Sequence, residues 1–143
     1  MDDDTIKLLR ECNAGIKMGV SSLEDVMEHV TDNNLSRLLQ KSIETHSRLG
    51  NTTHGYLISF HDEGKEPPTM AKMMSWVKSN IKFSEDEPNR AAAELLTDGC
   101  NMGVKSLYRY LHQYPNADKK VKKLAEDVIE AEETLIKELQ DYL

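Results

Sequence analysis

A six-residue stretch occurs twice in this chain, and its two copies hold equivalent places in what read as two helical hairpins. Met18-Gly19-Val20-Ser21-Ser22-Leu23 returns as Met102-Gly103-Val104-Lys105-Ser106-Leu107. Each copy lies in a segment with helical apolar spacing, followed by a polar turn and a second such segment. Hairpins of that kind bury their apolar stripes against each other, which gives a four-helix bundle with internal two-fold pseudosymmetry. The 143 residues are enough for one domain with a real core, so residues 1–143 are expected to form a single all-α domain.

The spacing sets the elements. Leu9, Ile16, Leu23 and Val30 recur at intervals of seven, with Cys12, Gly19 and Val26 as a companion row. This predicts a first helix over 4–30, capped by Asp4. Thr31-Asp32-Asn33-Asn34 is a turn. A second helix over 33–61 carries Leu35, Leu39, Ser42, Ile43, His46, Leu49, Gly50, Thr53 and Leu57 on one face. The third, over 90–114, follows a cap at Asn89 and turns Leu96, Cys100, Gly103, Leu107, Leu111 and Tyr114 inward. The fourth, over 117–142, aligns Val121, Leu124, Ala125, Val128, Ile129, Glu132, Leu135, Ile136 and Leu139.

The hairpins at 4–61 and 90–142 are joined by a long crossover, 62–89, with a short helix of its own near 69–83. Met70, Met73, Met74, Val77 and Ile81 form one face of it, with Trp76 beside them. Such a methionine-rich face either packs along the bundle or serves as an adaptable interaction surface.

Two residues break the apolar stripes. Counted from the turns at about 1.5 Å per residue, Ile16, His46, Cys100 and Glu132 fall at one level of the bundle, and each lies near the centre of its inward stripe. A carboxylate there must be paired, hydrogen-bonded, metal-bound or protonated. An imidazole is a suitable partner, so a direct or water-bridged His46–Glu132 contact is expected. Two readings of the pair stand: a polar bridge that fixes bundle register, and an open metal site with Cys100 as third ligand.

Other features narrow the function. The formal net charge is -7, which disfavours nucleic acid and anionic membranes as partners. Lys119-Lys120 and Lys122-Lys123 precede an acidic stretch and read as a solvated helix start. No apolar run has the length of a membrane span and no signal peptide precedes the first helix, so a cytoplasmic location is expected. Cys12 and Cys100 lack metal-type spacing and read as reduced, buried residues. Gly15, Gly19, Gly99 and Gly103 sit inside helices despite their propensity cost. They either let helices approach closely or make room for large neighbours such as Tyr and Trp. No phosphate-binding loop or nucleophile–base motif is present.

The chain resembles the ferritin-like four-helix-bundle superfamily, in particular a bacterial branch catalogued only as a domain of unknown function. The resemblance spans nearly the whole length. It rests on Leu8-Leu9 through Cys12 and Gly15, Glu24-Asp25-Val26, Trp76-Val77-Lys78, and Gly99-Cys100-Asn101-Met102-Gly103-Val104-Lys105-Ser106-Leu107. It implies two hairpins joined by a crossover. It also implies a core once able to hold two irons through a Glu on each first helix of a hairpin and a Glu-x-x-His on each second helix. Here those positions read Ile16 and Cys100, Ile43 with His46, and Ile129 with Glu132. Only His46 keeps the ligand type, and Glu132 stands where a His is expected. Ferroxidase, oxygenase and iron-storage chemistry are therefore not expected.

The expectation is a non-catalytic binding or interaction protein without a cofactor, associating with itself or with a protein partner through Met70, Met73, Met74 and Trp76. The alternative is a metal-binding protein or redox enzyme with a degenerate site for iron, manganese or zinc at His46, Cys100 and Glu132.

Overall fold

The computed structural model describes residues 3–60, 62 and 86–143, and it is helical throughout. Four long helices follow one another: α1 (Asp3–Met27), α2 (Asn33–Ser59), α3 (Pro88–Gln113) and α4 (Lys119–Leu139). A short 3-10 turn, Gln140–Tyr142, extends α4. Among the described residues there is no strand, and no helix is long and apolar enough to cross a membrane. The crossover helix expected near 69–83, with Met70, Met73, Met74 and Trp76, lies outside the described residues, as does His61.

Helix ends follow local chemistry. Asp32 caps α2 by accepting a hydrogen bond from the Leu35 backbone N–H at 2.9 Å. Pro88 opens α3, where its missing N–H costs nothing. Two expected caps do something else. Asn89 lies within α3, and its Oδ1 accepts from the backbone N–H groups of Thr31 and Asp32 at 2.9 and 3.1 Å, while its Nδ2 donates to Thr31 Oγ1 at 3.0 Å. A turn with unsatisfied N–H groups and a nearby amide form a better-matched set than Asn89 with its own helix end. Asp4 lies inside the first turn of α1, and its carboxylate accepts from the Asn116 N–H at 3.0 Å. Beside it, the buried Thr5 hydroxyl accepts from the Asp118 N–H at 2.9 Å. Further from the start of α1, Arg10 grips the Asp62 carboxylate with two of its nitrogens.

Packing is closest between α1 and α2 and between α3 and α4, with α1 also on α3 and α2 on α4. The apolar core is divided in two. One cluster gathers Leu8, Leu9, Cys12, Ile16, Leu57, Leu107, Val121, Leu124, Val128 and Ile129. The other gathers Leu23, Val26, Leu35, Leu39, Leu95, Leu96, Cys100, Leu135 and Leu139. Fully burying one such leucine contributes about 1.5–3 kcal/mol, so each cluster is a substantial anchor. Between them, each helix presents one non-hydrophobic residue in turn: Gly19, His46, Gly103 and Glu132.

The basic start of α4 is exposed at Lys119, Lys120 and Lys123. The Lys120 ammonium lies 5.1 Å from the Tyr56 ring centre and 5.6 Å from that of Phe60, which ties it to the end of α2.

Candidate functional site

The middle layer is built from two helix pairs of the same design. In each pair, a glycine on the first helix faces a long polar side chain on the second. A Cβ placed on Gly19 would lie 3.2 Å from His46 Cδ2 and 3.5 Å from its Nε2. A Cβ on Gly103 would lie 2.3 Å from Glu132 Oε2 and 3.1 Å from Cδ. Gly19 and Gly103 therefore make room for His46 and Glu132. Gly50 serves closeness instead: a Cβ there would meet the Ile16 side chain at 3.2 Å.

His46 is 1% exposed and Glu132 6%. Their nearest atoms, Nε2 and Oε1, are 3.9 Å apart. That separation is too long for a direct hydrogen bond and within range of a charge contact. His46 Nδ1 lies 2.8 Å from the Ser42 carbonyl oxygen. A carbonyl can only accept, so Nδ1 carries a hydrogen, and Nε2 is the atom presented to Glu132. The Ser42 hydroxyl stands 3.4 Å from the same Nδ1.

Burial works against an imidazolium at His46, but the Glu132 carboxylate and the Ser42 carbonyl outweigh it and raise the proton affinity above that of a free histidine. Burial also pushes the Glu132 carboxyl above the ordinary range, with His46 opposing. Both groups thus hold protons more tightly than they would in water.

The pair is lopsided. His46 engages on both sides of its ring, whereas Glu132 Oε2 is buried without a hydrogen-bond partner among the described residues. A groove of about 280 Å3 opens beside it between α1 and α3. The repeated motif lines both walls. Gly15, Met18, Gly19 and Ser22 come from α1, and Gly99, Met102, Gly103 and Ser106 from α3. His46, Cys100 and Glu132 also border it, as do Glu11, Arg109, Tyr110 and several apolar side chains. Among the described residues, a Cβ on Gly15 or Gly99 would meet nothing within 4 Å.

Of the expected site residues, the structure brings His46 and Glu132 together. Cys100 borders the same groove, but Ile16 and Cys100 pack into opposite apolar clusters. Both cysteines are buried and free. Burial pushes the Cys12 thiol up to about 12, and burial together with the Glu132 charge raises Cys100 as well. Neither is a thiolate near neutral pH, the form that attacks electrophiles and binds metals. Among the described residues, no three His, Cys, Asp or Glu side chains are grouped to hold a metal ion.

Sequence reasoning missed the groove. Its signal was the Gly-x-x-Met-Gly run at 15–19, repeated at 99–103, which keeps two costly helix glycines in each copy. Comparison with family models, with curated proteins and with solved structures finds no match to this chain.

Proposed function

We propose that this chain is a non-catalytic, cytoplasmic binding protein on a ferritin-like bundle that has lost the di-iron ligand set. Two anchors support the connectivity. Asp62 is tied to Arg10, near the start of α1, and Asn89 to Thr31 and Asp32, beyond its end. Asp62 and Asn89 thus lie toward opposite ends of α1, where a ferritin-like connectivity would put them. The donor set at the centre does not fit two irons. Apart from His46 and Glu132, the positions where the resemblance implies ligands hold Ile16, Ile43, Cys100 and Ile129, and a di-iron centre draws on several carboxylates.

One observation carries the binding reading: a buried carboxylate oxygen without a partner among the described residues borders a groove walled by repeated glycines. Buried polar groups are almost always satisfied, so this oxygen favours an occupant that can donate to it. The test is a ligand-observed NMR screen with small fragments of mixed charge. Hits are expected for the wild type and not for Gly99→Leu, whose side chain enters the groove. No hit in either, or equal hits in both, contradicts the reading. Self-association or a protein partner through Met70, Met73, Met74 and Trp76 belongs to the same proposal. Sedimentation of wild type and Trp76→Ala in lysate and buffer tests it, and an identical monomer throughout contradicts it.

The second reading is a metal-binding or redox protein with iron, manganese or zinc at His46, Cys100 and Glu132. It is favoured by the Nδ1 bond to the Ser42 carbonyl, the usual means of orienting a ligating histidine. Elemental analysis separates the two. Stoichiometric metal that disappears in His46→Ala supports the metal reading. Metal-free protein of full helicity supports the first.

A further inference from the structure

We infer that the groove between α1 and α3 takes a small primary amine with a compact apolar body, its ammonium seated on Glu132 Oε2; this deepens the proposed binding role and rests on it. The head group follows from what the groove lacks. Its buried end offers an acceptor, Oε2, whose side chain is 8% exposed. Among the groove's other titratable residues, His46 is engaged with Glu132 Oε1 and the Ser42 carbonyl, Tyr110 is hydrogen-bonded to Glu11, Arg109 is exposed, and Cys100 is a protonated thiol, at best a weak donor. The ligand must therefore donate, and a charged donor forms the stronger bond to a carboxylate.

An anion is disfavoured. It would meet Glu132 at the floor and Glu11 along the wall, in a chain of net charge -7, with Arg109 as the groove's opposing fixed charge. The remaining ammonium hydrogens have acceptors within the same lining, in the hydroxyls of Ser22 and Ser106. Thioether and aromatic walls (Met18, Met102, Tyr110) accommodate a cation and its apolar body together. The volume of about 280 Å3 is at the small end for ligand pockets, which limits the body to about one ring or a short chain.

The repeat supplies a second line. Among the described residues, Gly15 and Gly99 have nothing within 4 Å of a built Cβ, so close packing of the four helices does not require them. Alanine would favour the helix at both positions, and what glycine preserves there is the groove that both line.

The test is calorimetric titration of the full chain with phenethylamine, 2-phenylethanol and phenylacetate, three ligands of similar shape that differ in head group. Phenethylamine is expected to bind saturably, about tenfold or more tighter than the alcohol, with phenylacetate weakest. Glu132→Gln should bring amine and alcohol level. Gly99→Leu, which leaves the carboxylate in place, should abolish all binding while circular dichroism shows intact helices. If the alcohol matches the amine in the wild type, or the amine keeps its advantage in Glu132→Gln, the amine assignment is overturned and groove binding stands. If none of the three binds and the fragment screen is also empty, the binding reading fails with it.

Discussion

The two hairpins solve one problem in two ways, and only one of the solutions is complete. In the first, Gly19 admits His46, whose ring is held by the Ser42 carbonyl on one side and faces the carboxylate on the other. In the second, Gly103 admits Glu132, which has His46 on one oxygen and, among the described residues, no hydrogen-bond partner on the other. A repeat that kept its glycines but differs at the polar position teaches where structure ends and function begins. The satisfied half is explained by folding among the described residues, and the unsatisfied half is where the proposed ligand would bind.

The largest test of that asymmetry is truncation of each partner. His46→Ala removes the imidazole that faces a buried carboxylate and should cost about 3–5 kcal/mol in urea unfolding. Glu132→Ala should cost about 1–3 kcal/mol, because His46 can lose its charge and keep the Ser42 bond. Equal losses would mean the two halves are equivalent. Replacing both, as His46→Leu with Glu132→Met, should be near neutral or stabilising.

The glycines come next. At Gly103 an added Cβ collides with the carboxylate, so Gly103→Ala should lose about 1–3 kcal/mol through displacement of Glu132. At Gly19 the imidazole has only to give by a few tenths of an ångström. There the helix propensity gain of about 1 kcal/mol nearly offsets the strain. Gly99→Ala, with nothing among the described residues within 4 Å of the added Cβ, should be stabilising by about 0.5–1 kcal/mol. Thermal midpoints of the three variants should rank Gly99→Ala above Gly19→Ala above Gly103→Ala.

The pH dependence has a fixed sign. Glu132 holds its proton above its ordinary 4.5, and His46 above its ordinary 6.5. Each binds protons more tightly folded than unfolded, so the pair favours the fold most at low pH. The Glu132 contribution declines as pH rises from 4.5 through its raised folded value. The His46 contribution is full below 6.5 and is lost as pH rises through its own. The stability difference between wild type and the His46→Leu/Glu132→Met variant should therefore fall from pH 4.5 to pH 8. A rise across that range contradicts both directions.

The smallest effect is at the hairpin turns. Asp32 caps α2 with its side chain, whereas Asp118 makes no such bond at α4 and instead gives its N–H to Thr5. Asp32→Ala should cost about 1 kcal/mol, with Asp118→Ala near zero by the same chemical-denaturation measurement.

The helices were legible because sevenfold spacing at Leu9, Ile16 and Leu23 and the turn at Thr31–Asn34 are local signals. Counting residues from the turns placed His46 and Glu132 at one level, and the structure brings them together. The same count grouped Ile16 with Cys100, which pack into different clusters. Counting gives height along a helix and not the neighbours around it. The role of Gly19 and Gly103 was hidden for a related reason: a glycine shows no pattern of its own, and what fills its gap comes from another helix. Asn89 was misread because its partners, Thr31 and Asp32, are distant in sequence, so a local capping rule could not reveal them.

The central claim is a protonated His46 held by the buried Glu132 carboxylate. Side-chain NMR of His46 across a pH titration tests it most directly. The account predicts a midpoint above 6.5 in the wild type that drops in Glu132→Gln, where only the Ser42 carbonyl is left to oppose burial. A midpoint that is the same in both proteins would contradict it.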